Sequence, residues 1–224
     1  ASVQAQKITA ISEYTRRHFL DTFPHYPADQ INVVYPASRF SSHSEQCEVK
    51  TSLRGAFFAT KQSQTQPLEV SLRRSNLKPD SFWLSVGTLE PRKNHERLLK
   101  AYALLKAETQ ETLPLVLAGV RGWLMKNFER QIADLGLQND VVLLGYVDDT
   151  ELHWLYQNCF AFLYPSLFEG FGMPVLEAMS LGAAVIASNT TSIPEIVGDA
   201  GLLVDPKSEE SICHAMKRLL DDSS

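Results

Sequence analysis

The chain carries a rhythm that few folds accept. Short, continuously apolar runs end at or beside a glycine and are separated by stretches of helical periodicity. The runs are Phe82–Val86 before Gly87, Leu115–Ala118 before Gly119 and Val141–Leu144 before Gly145. Phe160–Tyr164, Ala183–Ala187 and Leu202–Val204 complete the set. Between them, Asn94 reads as the N-cap of a helix His95–Lys106 whose Leu98, Leu99, Tyr102 and Leu105 share one face. Helices are also expected at Trp123–Leu135 with Gly136 as C-cap, to Asn158 behind a cap at Asp149 or Thr150, and at Val175–Ser180, Ile193–Val197 and Ser208–Asp221. Apolar runs without polar alternation belong to strands covered on both faces. The expectation is therefore an α/β fold, a doubly wound, Rossmann-like parallel sheet. Ligands of such sheets sit outside the carboxyl ends of the strands, where the glycines fall.

Ahead of this domain, Lys7–Ile11 and Ile31–Val34 read as strands flanking a helix Glu13–Phe23 capped by Ser12. That β-α-β unit is too small to be a domain by itself. From Ser38 the chain turns polar and rich in Ser and Gln, with a short apolar piece Ala56–Ala59 and one helix expected at Glu69–Asn76. The expected divisions are residues 1–37, the end of a preceding domain; 38–80, a linker or irregular insertion; and 81–224, the main domain. A formal net charge of −5 argues against a broad nucleic-acid surface while leaving room for a local phosphate site. No apolar run approaches the roughly 20 residues that span a bilayer, and no leader pattern is read at the start. Three scattered cysteines, Cys47, Cys159 and Cys213, suit a reducing, cytoplasmic setting better than a disulfide framework.

The chemistry concentrates at strand ends. Tyr164–Ser180 reads as a strand, then a turn holding Gly170 and Gly172, then a helix behind Pro174. A glycine turn at a helix N-terminus presents backbone N–H groups to an anion. Glu169 and Glu177 bracket it. They are either a surface loop residue and a helix-dipole partner, or carboxylates that accept hydroxyl hydrogen bonds from a sugar. Arg92 and Lys93 are either a solvated basic turn or the cations for a diphosphate. Tyr146 and Val147 offer backbone groups to a flat base, or form an ordinary loop. Ser188–Ser192 either touches phosphate or caps the next helix. His95 sits at a helix start, and the histidines show no metal-ligand spacing.

Val86–Asn94, Leu144–Val147, Pro165–Ser166 with Glu169–Gly172, Pro174–Glu177 and Ser192–Gly201 together resemble the retaining GT-B glycosyltransferases called family 4, or group 1. The resemblance covers the chain from Ser81 onward and, more loosely, the first 40 residues. It implies a donor-binding domain for a nucleotide-diphosphate sugar, needing no cofactor or metal. It implies that Lys93 meets the diphosphate, with Arg92 beside it. Gly170, Phe171, Gly172, Met173, Pro174 and Val175 line the donor. Glu169 is the catalytic-position carboxylate on sugar hydroxyls, Glu177 holds the ribose, and Tyr146 and Val147 meet the base.

Many members carry Arg after the first loop's glycine. Here that residue is Thr88, which leans the donor from a UDP-sugar toward GDP-mannose. The family also implies a glycan or lipid-linked acceptor, with peripheral contact at the inner membrane face open. Members are longer, so the chain is expected to hold the donor side of a polysaccharide-building transferase. By itself it is expected to bind donor but transfer poorly. A binding module without catalysis, and an epimerase or phosphorylase on the same fold, stand as alternatives.

Overall fold

The computed structural model describes residues 8–39, 77–109, 112–120, 122 and 127–222. The expected linker core, the helix at 69–76, the apolar piece at 56–59, Cys47 and the start of the helix at 123 lie outside the described residues.

Among the described residues, eight strands and seven α-helices follow one another. They are β1 (Ile8–Ala10), α1 (Glu13–Thr22), β2 (Ile31–Val33), β3 (Trp83–Val86), α2 (His95–Glu108), β4 (Leu115–Ala118), α3 (Phe128–Asp134) and β5 (Val141–Gly145). After these come α4 (Asp149–Asn158), β6 (Ala161–Tyr164), α5 (Met173–Ser180), β7 (Val185–Ser188), α6 (Ile193–Val197), β8 (Leu202–Val204) and α7 (Glu209–Asp221). Each expected strand appears within a residue or two of its expected limits.

Six strands form one sheet in the order β5-β4-β3-β6-β7-β8, every pair parallel. The chain first steps outward from β3 through β4 to β5, then returns to the other side of β3 with β6. The order reverses between β3 and β6, which pair directly through Trp83 with Ala161 and Leu84 with Phe162. Loops leaving these two strands diverge, and a crevice opens between them. This is the doubly wound Rossmann-like sheet expected from the apolar rhythm.

Strand residues alternate between two cores. Trp83, Leu115, Leu117 and Leu163 face α2, α3 and α7, whose Leu98, Tyr102, Ile132 and Met216 close that side. Phe82, Leu84, Val116 and Phe162 face α4, α5 and α6, closed by Leu155, Tyr156, Val175 and Ile193. Both faces are thus covered, as the unbroken hydrophobicity requires. Burial of each such side chain is worth about 1.5–3 kcal/mol. Cys159 and Cys213 are free and buried among these apolar groups.

Of two expected caps, one is corrected. Asn94 holds the N-cap position of α2 as expected, but its side chain makes no capping bond. Its backbone is left-handed at φ 62°, and its side-chain amide donates to the carbonyls of Pro165 (2.9 Å) and Pro206 (2.7 Å). A left-handed Asn turns its side chain across the sheet edge, away from the helix's N–H groups. For α4 the cap is Asp148 in place of Asp149 or Thr150, because only Asp148 has Glu151 three residues on to close a capping box. The segment at Val175–Ser180 begins earlier than expected, at Met173, placing Pro174 within the first turn.

β1 and β2 pair in parallel, with Ile8 opposite Ile31. Ser12 caps α1 as expected, accepting from Thr15 N at 2.9 Å. The helix buries no residue fully. Its attachment to the six-stranded domain combines polar bonds to Gly170 and Glu195 with ring contacts of Tyr14 and His18 on Phe168.

Gly119 ends β4 at φ 154°, and a Cβ there would lie 2.0 Å from the Gly87 carbonyl oxygen. That oxygen belongs to the backbone and cannot swing aside. Gly119→Ala is expected to destabilise the chain by about 3 kcal/mol or more, read as a lowered denaturation midpoint. An unchanged midpoint would contradict the close approach of these two strand ends.

Candidate functional site

The crevice between the loops after β3 and β6 holds the expected site. The first loop tightens into a 3-10 turn at Pro91–Lys93 and stops at left-handed Asn94. The second is clasped to it: Leu167 N donates to the Arg92 carbonyl at 2.9 Å, and the Ser166 hydroxyl lies 3.0 Å from the same oxygen. Asn94 adds its bond to Pro165. The two strand-end loops therefore form one unit, although some 70 residues separate them.

Glu169 sits at its centre and is buried. Its Oε1 accepts from the Lys93 ammonium (2.8 Å), the Ser166 hydroxyl (2.7 Å) and the Tyr164 phenol (2.9 Å). Its Oε2 accepts from Arg92 Nη1 at 2.7 Å. Arg92 also meets Glu90 at 2.6 Å and the Phe168 carbonyl at 3.0 Å. Burial pushes the Glu169 carboxyl upward, but the Lys93 charge and the bonds from Lys93, Ser166 and Tyr164 outweigh it. The net result lies below the ordinary carboxylate range, so Glu169 stays ionised. Burial beside that carboxylate pushes the Tyr164 phenol far up, keeping it a neutral donor. Lys93 also donates to the same phenol oxygen.

Glu177, two turns of chain away, lives in the opposite regime. It is buried in α5, and burial raises its carboxyl above the usual value despite Arg39 and the Tyr156 phenol. Tyr156 donates to Oε2 at 3.2 Å, and Arg39 Nε lies 2.9 Å from Oε1. Arg39 Nη1 reaches Asp149 at 2.8 Å. One guanidinium thus spans α5 and the start of α4, three residues beyond Tyr146. Tyr146 itself is 78% exposed and Val147 is half-buried, both just past the end of β5.

The glycine turn lies between the two carboxylates. Gly172 has φ 120°, and a Cβ there would fall 2.5 Å from Ile193 Cδ1. Phe171 and Val175 are buried, while Gly170, Met173 and Pro174 are half-buried. Among the described residues, the amides of Gly170, Phe171 and Gly172 meet no acceptor. Thr88 is half-buried and turns its methyl toward Gly122.

The structure therefore brings Arg92, Lys93 and Glu169 together, sets the turn beside them, and links Glu177 to the β5 edge through Arg39. Sequence reasoning missed Tyr164, Tyr156 and Arg39, and did not find the contacts of Ser192. A buried phenol at a strand end needs a polar partner and is a usable signal. Arg39 borders a polar stretch and gives none. Ser192 neither caps α6 nor, among the described residues, stands in the open. Its hydroxyl meets the carbonyls of Glu169 and Phe171. Among the described residues no group of three His, Cys, Asp or Glu is arranged to hold a metal ion.

Residues 71–224 match the family model described as glycosyl transferases group 1. The chain belongs to this family. An O-antigen chain mannosyltransferase B of Escherichia coli is 39% identical over 221 residues, 98% of this chain and 53% of that protein. A serotype-specific mannosyltransferase WbdA of E. coli is 40% identical over 156 residues, 69% of this chain and 19% of that protein. The solved structure of Anabaena Alr3699/HepE in complex with UDP and glucose superposes with a TM-score of 0.75 at 21% identity, over 98% of this chain and 55% of that one. The group 1 chain thus spans about half the length of these full-length matches or less. The glycosyltransferase resemblance read from the motifs holds, and so does the fold it implied. Among the described residues no helix is long and apolar enough to cross a membrane.

His95 opens α2 behind Lys93 and is buried, with Nδ1 meeting no partner among the described residues. Burial, then the Lys93 charge, lowers its pKa from 6.5 to about 4. Below pH 6.5 the unfolded chain takes up a proton that the folded chain refuses until about pH 4. Stability is expected to fall by about 3 kcal/mol across that window. Denaturant titrations at several pH values should show His95→Leu losing this slope relative to wild type. An identical slope in the variant would contradict a buried, neutral His95.

Proposed function

We propose that this chain forms the donor side of a retaining hexosyltransferase. It binds a nucleotide-diphosphate sugar in the crevice between β3 and β6. The observation that carries this reading is the union of Arg92 and Lys93 with Glu169 beside three backbone amides that have no acceptor among the described residues. Cations and free N–H groups on one edge suit a diphosphate and a sugar better than any uncharged ligand.

In this reading Lys93 and Arg92 take the diphosphate as it gains charge on leaving the sugar. Glu169 accepts hydroxyls of the sugar and stands closest to the reacting carbon. The turn from Gly170 to Val175 lines the sugar and the distal phosphate. Glu177 accepts the ribose hydroxyls, displacing part of its bond to Arg39. Backbone groups at Tyr146 and Val147 meet the base.

The sugar is proposed to be mannose, carried on GDP. Two E. coli relatives at 39% and 40% identity are named mannosyltransferases, which favours the mannosyl choice. Thr88 in place of a first-loop Arg points the same way. The Anabaena structure holding UDP keeps a UDP-sugar as the competing donor. The relatives' names also support transfer over epimerisation or simple binding, and an O-antigen-like glycan or lipid-linked sugar as acceptor. The reaction is placed in the cytoplasm, with peripheral contact to the membrane.

Calorimetric titration with GDP-mannose, UDP-glucose and an ADP-sugar tests the reading. GDP-mannose is expected to bind most tightly. Failure to bind any of the three would overturn the donor site, and a preference for UDP-glucose would overturn the mannosyl assignment alone. Glu177→Ala is expected to weaken GDP-mannose and GDP together, by about ten-fold. Unchanged affinity for both would leave Glu177 as a helix residue only.

A further inference from the structure

We propose that Ser192 is a positioning residue for the donor turn, fixing the peptide planes whose amides receive the sugar and the distal phosphate. The inference rests on the donor-site reading above. Ser192 precedes α6, is fully buried and makes no side-chain cap to that helix. Its hydroxyl lies 3.0 Å from the Glu169 carbonyl and 2.6 Å from the Phe171 carbonyl. One O–H is shared between alternate carbonyls of a three-residue turn.

In a trans peptide the carbonyl and the following N–H point in opposite directions. Fixing Glu169 C=O and Phe171 C=O on Ser192 therefore aims the N–H groups of Gly170 and Gly172 away from it. The intervening Gly170 carbonyl is held from another side. The hydroxyls of Ser12, the cap of α1, and of Thr15 within it each lie 2.8 Å from it, which aims the Phe171 N–H in turn. All three carbonyls are thus engaged, and all three following amides lack an acceptor among the described residues. Phe171 and Gly172 are buried as residues, and backbone N–H groups in such places ordinarily have an acceptor, from protein, water or ligand. The arrangement is that of a site built to receive acceptors from a ligand.

A second observation bears on Ser192. The preceding residue, Thr191, holds φ at 60°. A β-branched residue enters that left-handed region only under constraint from its surroundings. Its hydroxyl accepts from Glu169 N at 3.3 Å. The strained step places two consecutive hydroxyls against the turn, one on an amide and one on carbonyls.

The test compares GDP-mannose, which reaches the turn, with GMP, which carries base, ribose and one phosphate only. Ser192→Ala is expected to raise the Kd for GDP-mannose by about ten-fold while changing that for GMP by less than about three-fold. In the wild-type chain, amide NMR should show GDP-mannose shifting Gly170 and Gly172, with GMP leaving them in place. Equal losses for both ligands in the variant would make Ser192 a general structural residue and overturn the proposal. Unchanged binding of both, or wild-type glycine amides indifferent to GDP-mannose, would overturn it as well while leaving the donor site standing. A wild-type chain that binds neither ligand, and neither UDP-glucose nor an ADP-sugar, would instead sink the donor-site reading, and this inference with it.

Discussion

A single buried carboxylate organises the edge of this sheet. Glu169 lies in the loop leaving β6, and the two cations it holds lie in the loop leaving β3. The fold makes these strands neighbours at the one place where the strand order reverses, so the loops diverge and would leave an open notch. The Glu169 bridge closes the notch's floor. A carboxylate so enclosed is unfavourable unless it is fully partnered, and Glu169 has four donors. Removing the Lys93 charge would leave it with Arg92 and two hydroxyl donors, and removing both cations would strand it.

The bridge also sets the site's electrostatics before any ligand arrives. Lys93 has a side chain only 10% exposed, whereas that of Arg92 is 42% exposed. Arg92 is the cation that water and ligand reach first. In the proposed reading an incoming diphosphate would compete with Glu169 for both, and the carboxylate would be released toward the sugar as the cations turned to phosphate. Glu177 plays a different part. Burial raises its carboxyl, and it is shared between a phenol and one guanidinium. Two glutamates eight residues apart thus differ in charge environment because one faces the cationic loop and the other faces the core side of α4.

The fold was legible because its signal is physical and local. Continuous apolar strands ended by glycine force a covered parallel sheet, and that sheet places ligands at its carboxyl edge. Arg92, Lys93 and Glu169 were therefore recognisable as one edge from sequence alone. What escaped was long-range. Ser12 and Thr15 meet Gly170 across more than 150 residues. Glu195 accepts from Glu13 N at 2.9 Å and Tyr14 N at 2.6 Å, placing a negative charge at the N-terminus of α1. No periodicity encodes such contacts. Asn94 was legible only in part: it holds the N-cap position, but tertiary bonds to Pro165 and Pro206 claim its side chain.

The central claim is that the cations gathered by Glu169 receive a diphosphate. It is tested most directly by comparing GDP and GMP binding in wild type and Lys93→Met. Wild type should favour GDP, since only GDP carries the second phosphate. Lys93→Met should lose most of that preference while GMP affinity changes little. A variant that keeps the full wild-type preference for GDP over GMP would contradict the account.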